Sequence, residues 1–194
     1  MGRIVYLCGK SSSGKDTIYR ELLKRGTLQF QTIVPYTTRP LRAGEVNGRE
    51  YFFTDEEGFL ELLSQGKIIE HREYHTIHGL WRYFTVDDGQ IDLTKNDYLL
   101  IGTLEGYEKM RAYFGEGVLL PVLIELDDGV RLQRALDRER KQQNPRYEEM
   151  CRRFLADSQD FCEEKIHKAG IVRRFYNDEL ELCLKEIENY IQGG

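Results

Sequence analysis

The sequence of 194 residues has no long hydrophobic run, no closely paired cysteines and no excess of positive charge. Its apolar stretches fall far short of the roughly 20 residues that a membrane-spanning helix needs, so we expect no membrane partner. The four cysteines show no C-x-x-C spacing and have no histidine at a metal-binding distance along the chain. This argues against a zinc site and for reduced thiols. Because the net charge is −5, we expect no nucleic-acid partner either.

The rest of the composition is that of an ordinary globular protein, with 40% hydrophobic and 31% charged residues and without repeats or low-complexity segments. The length suits one well-cored domain with room for a small insertion. The first residues lead directly into an apolar strand, so we expect no signal peptide and a cytoplasmic location.

The most informative stretch is 3–17, with the sequence RIVYLCGKSSSGKDT. A short apolar run precedes the pattern Gly9-x4-Gly14-Lys15, and apolar residues at helical spacing follow it. Strand, glycine-bounded loop and helix in this order predict a phosphate-binding loop, or P-loop. Its N–H groups and the helix N-terminus attract phosphate, and Lys15 would supply a mobile cation. The candidate binding residues are Gly9, Lys10, Ser11, Ser12, Ser13, Gly14, Lys15, Asp16 and Thr17.

One position departs from the usual loop. A serine or threonine normally follows the lysine and binds Mg²⁺ through its hydroxyl group, but here Asp16 follows Lys15 and Thr17 comes next. A carboxylate can itself bind Mg²⁺, and its charge is favourable at a helix N-terminus. Asp16 and Thr17 are therefore candidate metal ligands. The alternative is that Asp16 is only an N-terminal helix residue and the metal is held differently.

Apolar strand candidates alternate with helical patterns along the rest of the chain. This alternation predicts an α/β fold in which a parallel core sheet is covered by helices on both faces. The stretch 37–91 departs from the rhythm, so we predict a core of about 1–36 and 92–194 with a small β-rich insertion. The predicted strands are 31–36, 97–103, 118–126 and 171–175; the predicted helices are 104–114, 127–140, 147–166 and 180–191, and one opened by a capping box at Thr54 and Glu57.

A polar loop carries Arg39 and Arg42, with Arg49 and Tyr51 close behind. Guanidinium groups and a tyrosine hydroxyl are suited to binding a phosphate monoester. From the spacing alone, a solvated surface loop with incidental arginines is the alternative.

The full string of this loop, YTTRPLRAGEVNGREYFF at 36–53, resembles the nucleotide-monophosphate loop of guanylate kinases, whose pattern is TTR-x-x-R-x-GE-x-(N/H)G-x-x-Y-x-F. The resemblance includes the P-loop, 67–70 (family F-x-E) and 176–178 (family V-N-D-D), and therefore covers the whole chain. It implies a P-loop kinase fold with a monophosphate-binding β-insertion and an arginine-bearing helical lid at about 137–153. The implied reaction is ATP + GMP giving ADP + GDP with Mg²⁺, so the implied partners are small-molecule nucleotides.

Carried over residue by residue, the resemblance assigns an acceptor site. Arg39, Arg42 and Tyr51 match the family's grip on the acceptor phosphate. Glu70 matches the carboxylate that accepts hydrogen bonds from the guanine N1–H and 2-amino groups.

The resemblance also assigns residues to phosphoryl transfer and to ATP. Lys15 matches the P-loop lysine, Arg138 and Arg140 fall where the lid arginines lie, and Arg153 falls at the arginine of the following helix. Such arginines would neutralise charge on the transferred phosphoryl group; a solvated helix charge is the alternative for each. Asn177 matches a residue near the ATP base.

Several positions break the family pattern. Pro35 replaces the serine that contacts guanine O6, and Leu80 replaces a base-contacting serine. His78 replaces a phosphate-binding tyrosine and is either a phosphate donor or a packing residue. Both aspartates of the family DID segment are absent, and Thr103 stands where one of them would read the 2-amino side of guanine. The phosphate grip survives better than the base recognition, which predicts relaxed base selectivity.

Three functions remain open on the sequence alone. The first is a nucleoside monophosphate kinase with GMP as its leading acceptor. The second is a kinase for a different phosphate-bearing small acceptor, and the third is a non-catalytic guanylate kinase-like binding module. The intact P-loop argues against the third, because a pure interaction module has no need to bind phosphate.

Overall fold

The computed structural model describes residues 2–42, 44–76 and 79–193. The strands are β1 (Ile4–Cys8), β2 (Phe30–Thr32), β3 (Tyr36–Thr37), β4 (Phe52–Phe53), β5 (Ile68–Thr76), β6 (Gly79–Val86), β7 (Asp97–Ile101), β8 (Leu119–Glu125) and β9 (Arg174–Tyr176). The helices are α1 (Lys15–Arg25), α2 (Glu56–Ser64), α3 (Leu104–Phe114), α4 (Asp128–Arg140), α5 (Tyr147–Asp160), α6 (Glu163–Lys168) and α7 (Leu180–Gly193).

The core is a five-stranded sheet in the order β2-β7-β1-β8-β9, and every neighbouring pair in it is parallel. All five residues of the central strand β1 are buried. Alternate side chains of a strand point to opposite faces. Ile4 and Tyr6 accordingly join the hydrophobic cluster that contains Met110 of α3, whereas Val5 and Leu7 join the cluster that contains residues of α1 and α7. The predicted parallel sheet with helices on both faces is confirmed.

A second sheet lies within residues 36–86 and has the order β4-β3-β6-β5. One of its faces packs on α2, where Phe59 meets Phe84 and Val86. The other face is polar, because polar residues alternate with the apolar ones along β5 and β6. We call this polar face, which carries Glu70, Arg72, Tyr83 and Thr85, the acceptor face.

Several element predictions were wrong in detail. The predicted strand 31–36 is divided between β2 and β3, which belong to different sheets; Pro35 between them has no N–H group to donate to a ladder. Asp55, and not Thr54, caps α2 by accepting a hydrogen bond from the Gly58 N–H group. The predicted helix 147–166 breaks between α5 and α6, and the last strand is 174–176 rather than 171–175. None of the helices in the described part of the chain combines the length and the apolar composition of a membrane span.

Candidate active site

The P-loop lies at the carboxyl end of β1, between β7 and β8 in the sheet. Its two glycines are required by close approaches. A Cβ on Gly9 would lie 2.4 Å from the backbone oxygen of Ile124, and a Cβ on Gly14 would lie 2.2 Å from Nδ2 of Asn177. Gly14 caps α1 with a φ of 94°, in the left-handed region that glycine adopts without strain. The loop therefore wraps tightly against β8 and the segment after β9.

Two hydroxyl groups inside this loop make no hydrogen bond to the part of the chain that the structure describes. Ser12 has a φ of 64°, which is uncommon for a residue other than glycine. The Oγ atoms of Ser12 and Ser13 are both enclosed, and neither has a partner among the described residues. Unpartnered buried polar atoms are rare in folded proteins. Together with the loop N–H groups they form a donor set that fits the phosphate oxygens of a nucleotide.

Lys15 and Asp16 begin α1. Burial raises the pKa of the neighbouring Cys8 thiol to about 12, and the charge of Lys15 partly offsets this rise. Cys8 is therefore a protonated core residue, not a nucleophile. The carboxylate of Asp16 is exposed and has no ion-pair or hydrogen-bond partner in the described ranges. It is free to join a metal ion that also contacts phosphate, as Mg²⁺ commonly does.

Arg131 of α4 anchors the helix pair α4–α5 to the P-loop, although no sequence motif pointed to it. Its side chain is 1% exposed. Its Nε donates to the backbone oxygen of Ser11 at 3.3 Å, its NH1 to Asp128 at 2.9 Å and its NH2 to Asp157 at 3.5 Å. The guanidinium also lies 4.9 Å from the ring centre of Phe154. No local pattern distinguishes this arginine from the three exposed ones on α4, so only the tertiary structure shows its role.

The acceptor face ends at Arg39, which is almost completely enclosed. Its NH1 and NH2 donate to the two carboxylate oxygens of Glu45 at 2.9 and 2.8 Å, and its Nε donates to the Tyr83 hydroxyl at 3.2 Å. The hydrogen bonds from Arg39 lower the pKa of Glu45 to about 2. Tyr51 packs beside this pair, with its ring centre 5.3 Å from the Arg39 guanidinium and 5.6 Å from the Tyr83 ring.

Arg42 is the more available of the two predicted phosphate-binding arginines. Its backbone N–H donates to Glu45 at 2.8 Å, whereas its guanidinium is exposed and has no partner within the described residues. Arg39 already uses most of its donors on protein groups. The structure thus brings Arg39, Arg42 and Tyr51 together, with Arg39 held rigidly and Arg42 free to bind an anion.

Glu70 lies at the other end of the acceptor face and is 4% exposed. Its Oε1 accepts a hydrogen bond from Thr85 at 2.9 Å, and its enclosed Oε2 has no hydrogen-bond partner in the part of the chain that is described. A Cβ built on Gly106 would lie 3.5 Å from Oε2 and 3.4 Å from Oγ1 of Thr103. Glu70 and Thr103 therefore both lie beside Gly106 in the first turn of α3, although 33 positions separate them in the sequence.

Tyr6 closes the inner wall of this corner. Its hydroxyl donates to the backbone oxygen of Thr103 at 3.0 Å, and burial raises its pKa well above the ordinary value, so it stays protonated. A Cβ on Gly102 would lie only 1.8 Å from the same hydroxyl oxygen. The Thr103 hydroxyl caps α3 by accepting a hydrogen bond from the Gly106 N–H at 3.1 Å.

Comparisons with known proteins agree with this geometry. A family model described as guanylate kinase matches residues 1–80. The guanylate kinase of Nostoc sp. is 32% identical over 136 residues, which cover 67% of this chain and 66% of that protein. The guanylate kinase of Oleidesulfovibrio alaskensis is 35% identical over 136 residues, covering 70% of this chain and 63% of that protein. The chain belongs to the guanylate kinase family.

A solved structure extends the likeness to the fold as a whole. The crystal structure of guanylate kinase from Anaplasma phagocytophilum matches with a TM-score of 0.63 over 99% of this chain and 85% of that chain, at 22% identity. The core sheet and its helices thus have the P-loop kinase fold. The sequence alignments are shorter: the chain spans 35% to 66% of the length of the curated relatives it matches.

The guanylate kinase pattern predicts lid arginines on α4 and α5, and the structure places them unequally. At 100° per residue, Arg134 and Arg138 share the face of α4 that carries Arg131, whereas Arg140 lies on the opposite face. A Cβ on Gly14 would lie 3.7 Å from NH1 of Arg134. Arg140 lies 3.8 Å from Asp137, and Arg153 donates to Glu149 at 2.7 Å. Among the described residues, Arg140 and Arg153 therefore pair only with exposed carboxylates of their own helices.

The remaining positions of the guanylate kinase pattern differ in their outcome. Asn177 reaches the P-loop, but its Nδ2 donates to the backbone oxygen of Ser13 at 2.8 Å and thus supports the loop. Leu80 pairs with His75, five residue pairs along the β5–β6 ladder from Glu70, or about 16 Å at the rise of a strand. A hydroxyl at position 80 would therefore not lie beside Glu70. The predicted phosphate donor His78 lies outside the described residues.

Proposed function

We propose that this protein is an ATP-dependent nucleoside monophosphate kinase whose leading acceptor is GMP. The observation that carries the proposal is the acceptor face. At one end it has a carboxylate oxygen that accepts no hydrogen bond from the described residues, and at the other end it has an arginine pair. Glu70 of β5 lies opposite Thr85 of β6. Tyr83, which accepts a hydrogen bond from Arg39, lies two residues before Thr85 on β6. Two residues span about 7 Å of strand, so the two ends, with their side chains, can hold the base and the phosphate of one nucleotide.

The P-loop supports ATP as the second substrate. The enclosed hydroxyls of Ser12 and Ser13 and the N-terminus of α1 fit its phosphates, and ATP supplies the phosphoryl group when bound. We propose that Asp16 and Thr17 hold Mg²⁺, since the carboxylate is exposed and unpartnered in the described structure. One or two carboxylates together with phosphate oxygens are a common magnesium environment.

Phosphoryl transfer depends mainly on positioning and on neutralising charge. Lys15 begins α1 directly under the loop, and Arg134 lies beside Gly14. Arg138 follows one turn further along the same face of α4. These three cations are the ones we assign to the transferred phosphoryl group. All four cysteines are free thiols, which agrees with the cytoplasmic location included in this proposal.

The test is a turnover assay with ATP, Mg²⁺ and a panel of GMP, dGMP, AMP, CMP and UMP. GMP is expected to have the highest kcat/KM, and Lys15→Ala is expected to show none. If none of the five monophosphates is phosphorylated while ATP binds, the acceptor is a different phosphate-bearing molecule. If ATP does not bind in the presence of magnesium, the protein is a binding module.

We also propose that the base selectivity is relaxed, because Pro35 and Thr103 replace polar contacts of the family. Thr103→Asp is compatible with the fold, since aspartate is as good a helix cap as threonine. It is expected to shift kcat/KM toward GMP by about 1–3 kcal/mol relative to IMP, which lacks the 2-amino group. Thr103→Ser is the matched control. An unchanged GMP-to-IMP ratio in Thr103→Asp would show that position 103 does not face the amino group.

A further inference from the structure

Arg72 is a charged residue of the acceptor face that neither the motifs nor the assigned roles explain. It lies on β5 two residues after Glu70, opposite Tyr83 of β6. Its side chain is 20% exposed, and its Nε is fully enclosed without a hydrogen-bond partner. The two terminal nitrogens of its guanidinium make no hydrogen bond to the described residues either. A guanidinium carries five N–H donors, and buried polar groups are nearly always hydrogen-bonded, so these donors are available for a ligand.

The unused acceptor that complements Arg72 is its neighbour. Nε of Arg72 lies 3.3 Å from Oε2 of Glu70. The N–H bond is not directed at this oxygen, so both atoms keep an unfilled hydrogen-bond site. Burial is the largest single influence on the pKa of Arg72 and would lower it, but Glu70 outweighs it together with Tyr6, Tyr74 and Tyr51, and the pKa is raised. A charged donor and a charged acceptor therefore stand side by side in an enclosed corner.

This arrangement matches one type of base edge. Guanine presents a 6-oxo acceptor directly beside an N1–H donor. Adenine presents a 6-amino donor beside an unprotonated N1, so in the same orientation donor would face donor and acceptor would face acceptor. The position where the family has an O6-binding serine is Pro35 here, and Leu80 lies far along the ladder. Arg72 is the charged donor that lies beside Glu70 in the described structure.

We propose that Arg72 donates a hydrogen bond to the 6-oxo group of the acceptor's purine while Glu70 accepts from N1–H. This inference rests on the proposed function, because it requires a purine monophosphate on the acceptor face. It locates the relaxed selectivity at the 2-amino edge, where Thr103 stands. GMP and IMP are then both acceptors, and AMP is excluded.

The experiment compares GMP with 6-thioguanosine 5′-monophosphate, in which a weakly accepting sulfur replaces the 6-oxo oxygen and the rest of the edge is kept. The unmodified protein is expected to prefer GMP by about tenfold in kcat/KM. Arg72→Met nearly keeps the length of the side chain but has no donors, and it is expected to lower kcat/KM for GMP and IMP 10- to 100-fold. The GMP-to-thio ratio, which is kcat/KM for GMP divided by kcat/KM for the thio analogue, is expected to fall close to one. Arg173→Met, at an exposed position directly before β9 of the core sheet, is the matched control and is expected to leave the GMP-to-thio ratio unchanged.

Two further measurements keep the inference falsifiable. If Arg72→Met does not fold, Arg72→Lys is the second variant, because it retains the charge beside Glu70 but lacks the guanidinium Nε–H. Its GMP-to-thio ratio of kcat/KM is expected to be at least threefold lower than that of the unmodified protein. Calorimetric binding of both nucleotides gives the same ratio without turnover. If GMP, IMP and the thio analogue lose kcat/KM equally, Arg72 acts on the phosphate or only on Glu70, and the inference is overturned while the kinase function stands. Absence of GMP turnover in the unmodified protein would instead reject the proposed function.

Discussion

Asp157 of α5 holds Ser11 of the P-loop at two points. Its Oδ2 accepts the Ser11 backbone N–H at 2.8 Å, and its Oδ1 accepts the Ser11 hydroxyl at 3.3 Å. The side chain of Asp157 is 15% exposed and also meets Arg131. The helix pair α4–α5 is therefore tied directly to the loop that is expected to bind ATP.

Removing this carboxylate should loosen the attachment and lower the stability. We expect Asp157→Ala to destabilise the protein by about 1.5–3 kcal/mol, as for hydrogen bonds to charged groups, which corresponds to a fall in Tm of roughly 3–12 °C. Calorimetric melting measures the fall, with Asp160→Ala as control, since Asp160 is exposed and lies 3.4 Å from Lys165. Equal Tm values for the two variants would mean that the Ser11 contact contributes nothing to stability.

Lys15→Ala should abolish phosphoryl transfer and leave the fold intact. The lysine side chain is half-buried at the first position of α1 and is not part of either hydrophobic cluster. Initial rates with ATP and GMP, together with circular dichroism, test this. Lys24→Ala, an exposed lysine at the other end of the same helix, should keep full activity. Turnover like that of the unmodified protein in Lys15→Ala would reject the P-loop assignment.

Arg39→Ala and Arg42→Ala should both raise the acceptor KM by about 10- to 150-fold, the equivalent of a charge-assisted hydrogen bond of roughly 1.5–3 kcal/mol. Only Arg39→Ala should also lower Tm, because Arg39 is enclosed and paired with Glu45 whereas Arg42 is exposed. Steady-state kinetics and melting separate the two effects. Arg49→Ala in the same loop is the control. A change in the ATP constant with the acceptor KM untouched would contradict the placement of this loop.

The role of Asp16 can be tested through magnesium. If its carboxylate binds the ion, Asp16→Asn should require at least about tenfold more Mg²⁺ for half-maximal rate, a shift of roughly 1.4 kcal/mol. Asp16→Ser should recover much of the activity through its hydroxyl group. Magnesium titrations of the rate provide the comparison, and unmodified behaviour of Asp16→Ala would show that Asp16 is only a helix-terminal residue.

Glu45 makes stability depend on pH in a defined window. Its pKa falls from an ordinary value of 4.5 to about 2, chiefly through hydrogen bonds from Arg39. A carboxyl group whose pKa is lowered by folding stabilises the protein above its unfolded pKa, and this contribution is lost as the pH falls through the folded pKa. We expect stability to decline between pH 4.5 and 2, and Glu45→Gln to show a smaller decline. Urea unfolding across this range measures both slopes.

The sequence alone was sufficient to predict those parts of the fold and of the site that are determined by short local patterns. The strand, loop and helix of the P-loop appear as predicted because glycine positions and apolar periodicity specify them within about 20 residues. The loop of Arg39 and Arg42 was found because its letters match a long family motif. Both are short stretches in which neighbouring residues carry the whole signal.

The remaining features depend on contacts between distant residues. Asp157 meets Ser11 across 146 positions, and Arg131 donates to the backbone oxygen of Ser11 across 120 positions. The break between α5 and α6 has no glycine or proline to mark it, and Cys162 precedes α6 without a side-chain cap. Apolar residues continue at helical spacing through the break, although no residue of α5 is buried and Ile166 of α6 lies in the core. The spacing therefore shows neither where the backbone turns nor which of the two helices is buried.

The contact between Gly102 and Tyr6 restricts the order in which mutations can accumulate. The family segment DID has isoleucine at the position of Gly102, yet even a single methyl group there would collide with the Tyr6 hydroxyl. Shortening Tyr6 first would open a cavity in the core at a cost of about 3–5 kcal/mol. Any evolutionary path between this chain and the family segment must therefore pass through a less stable intermediate or change both positions together. The two sites form an epistatic pair, and a graft of DID into this protein should fail unless position 6 is redesigned with it.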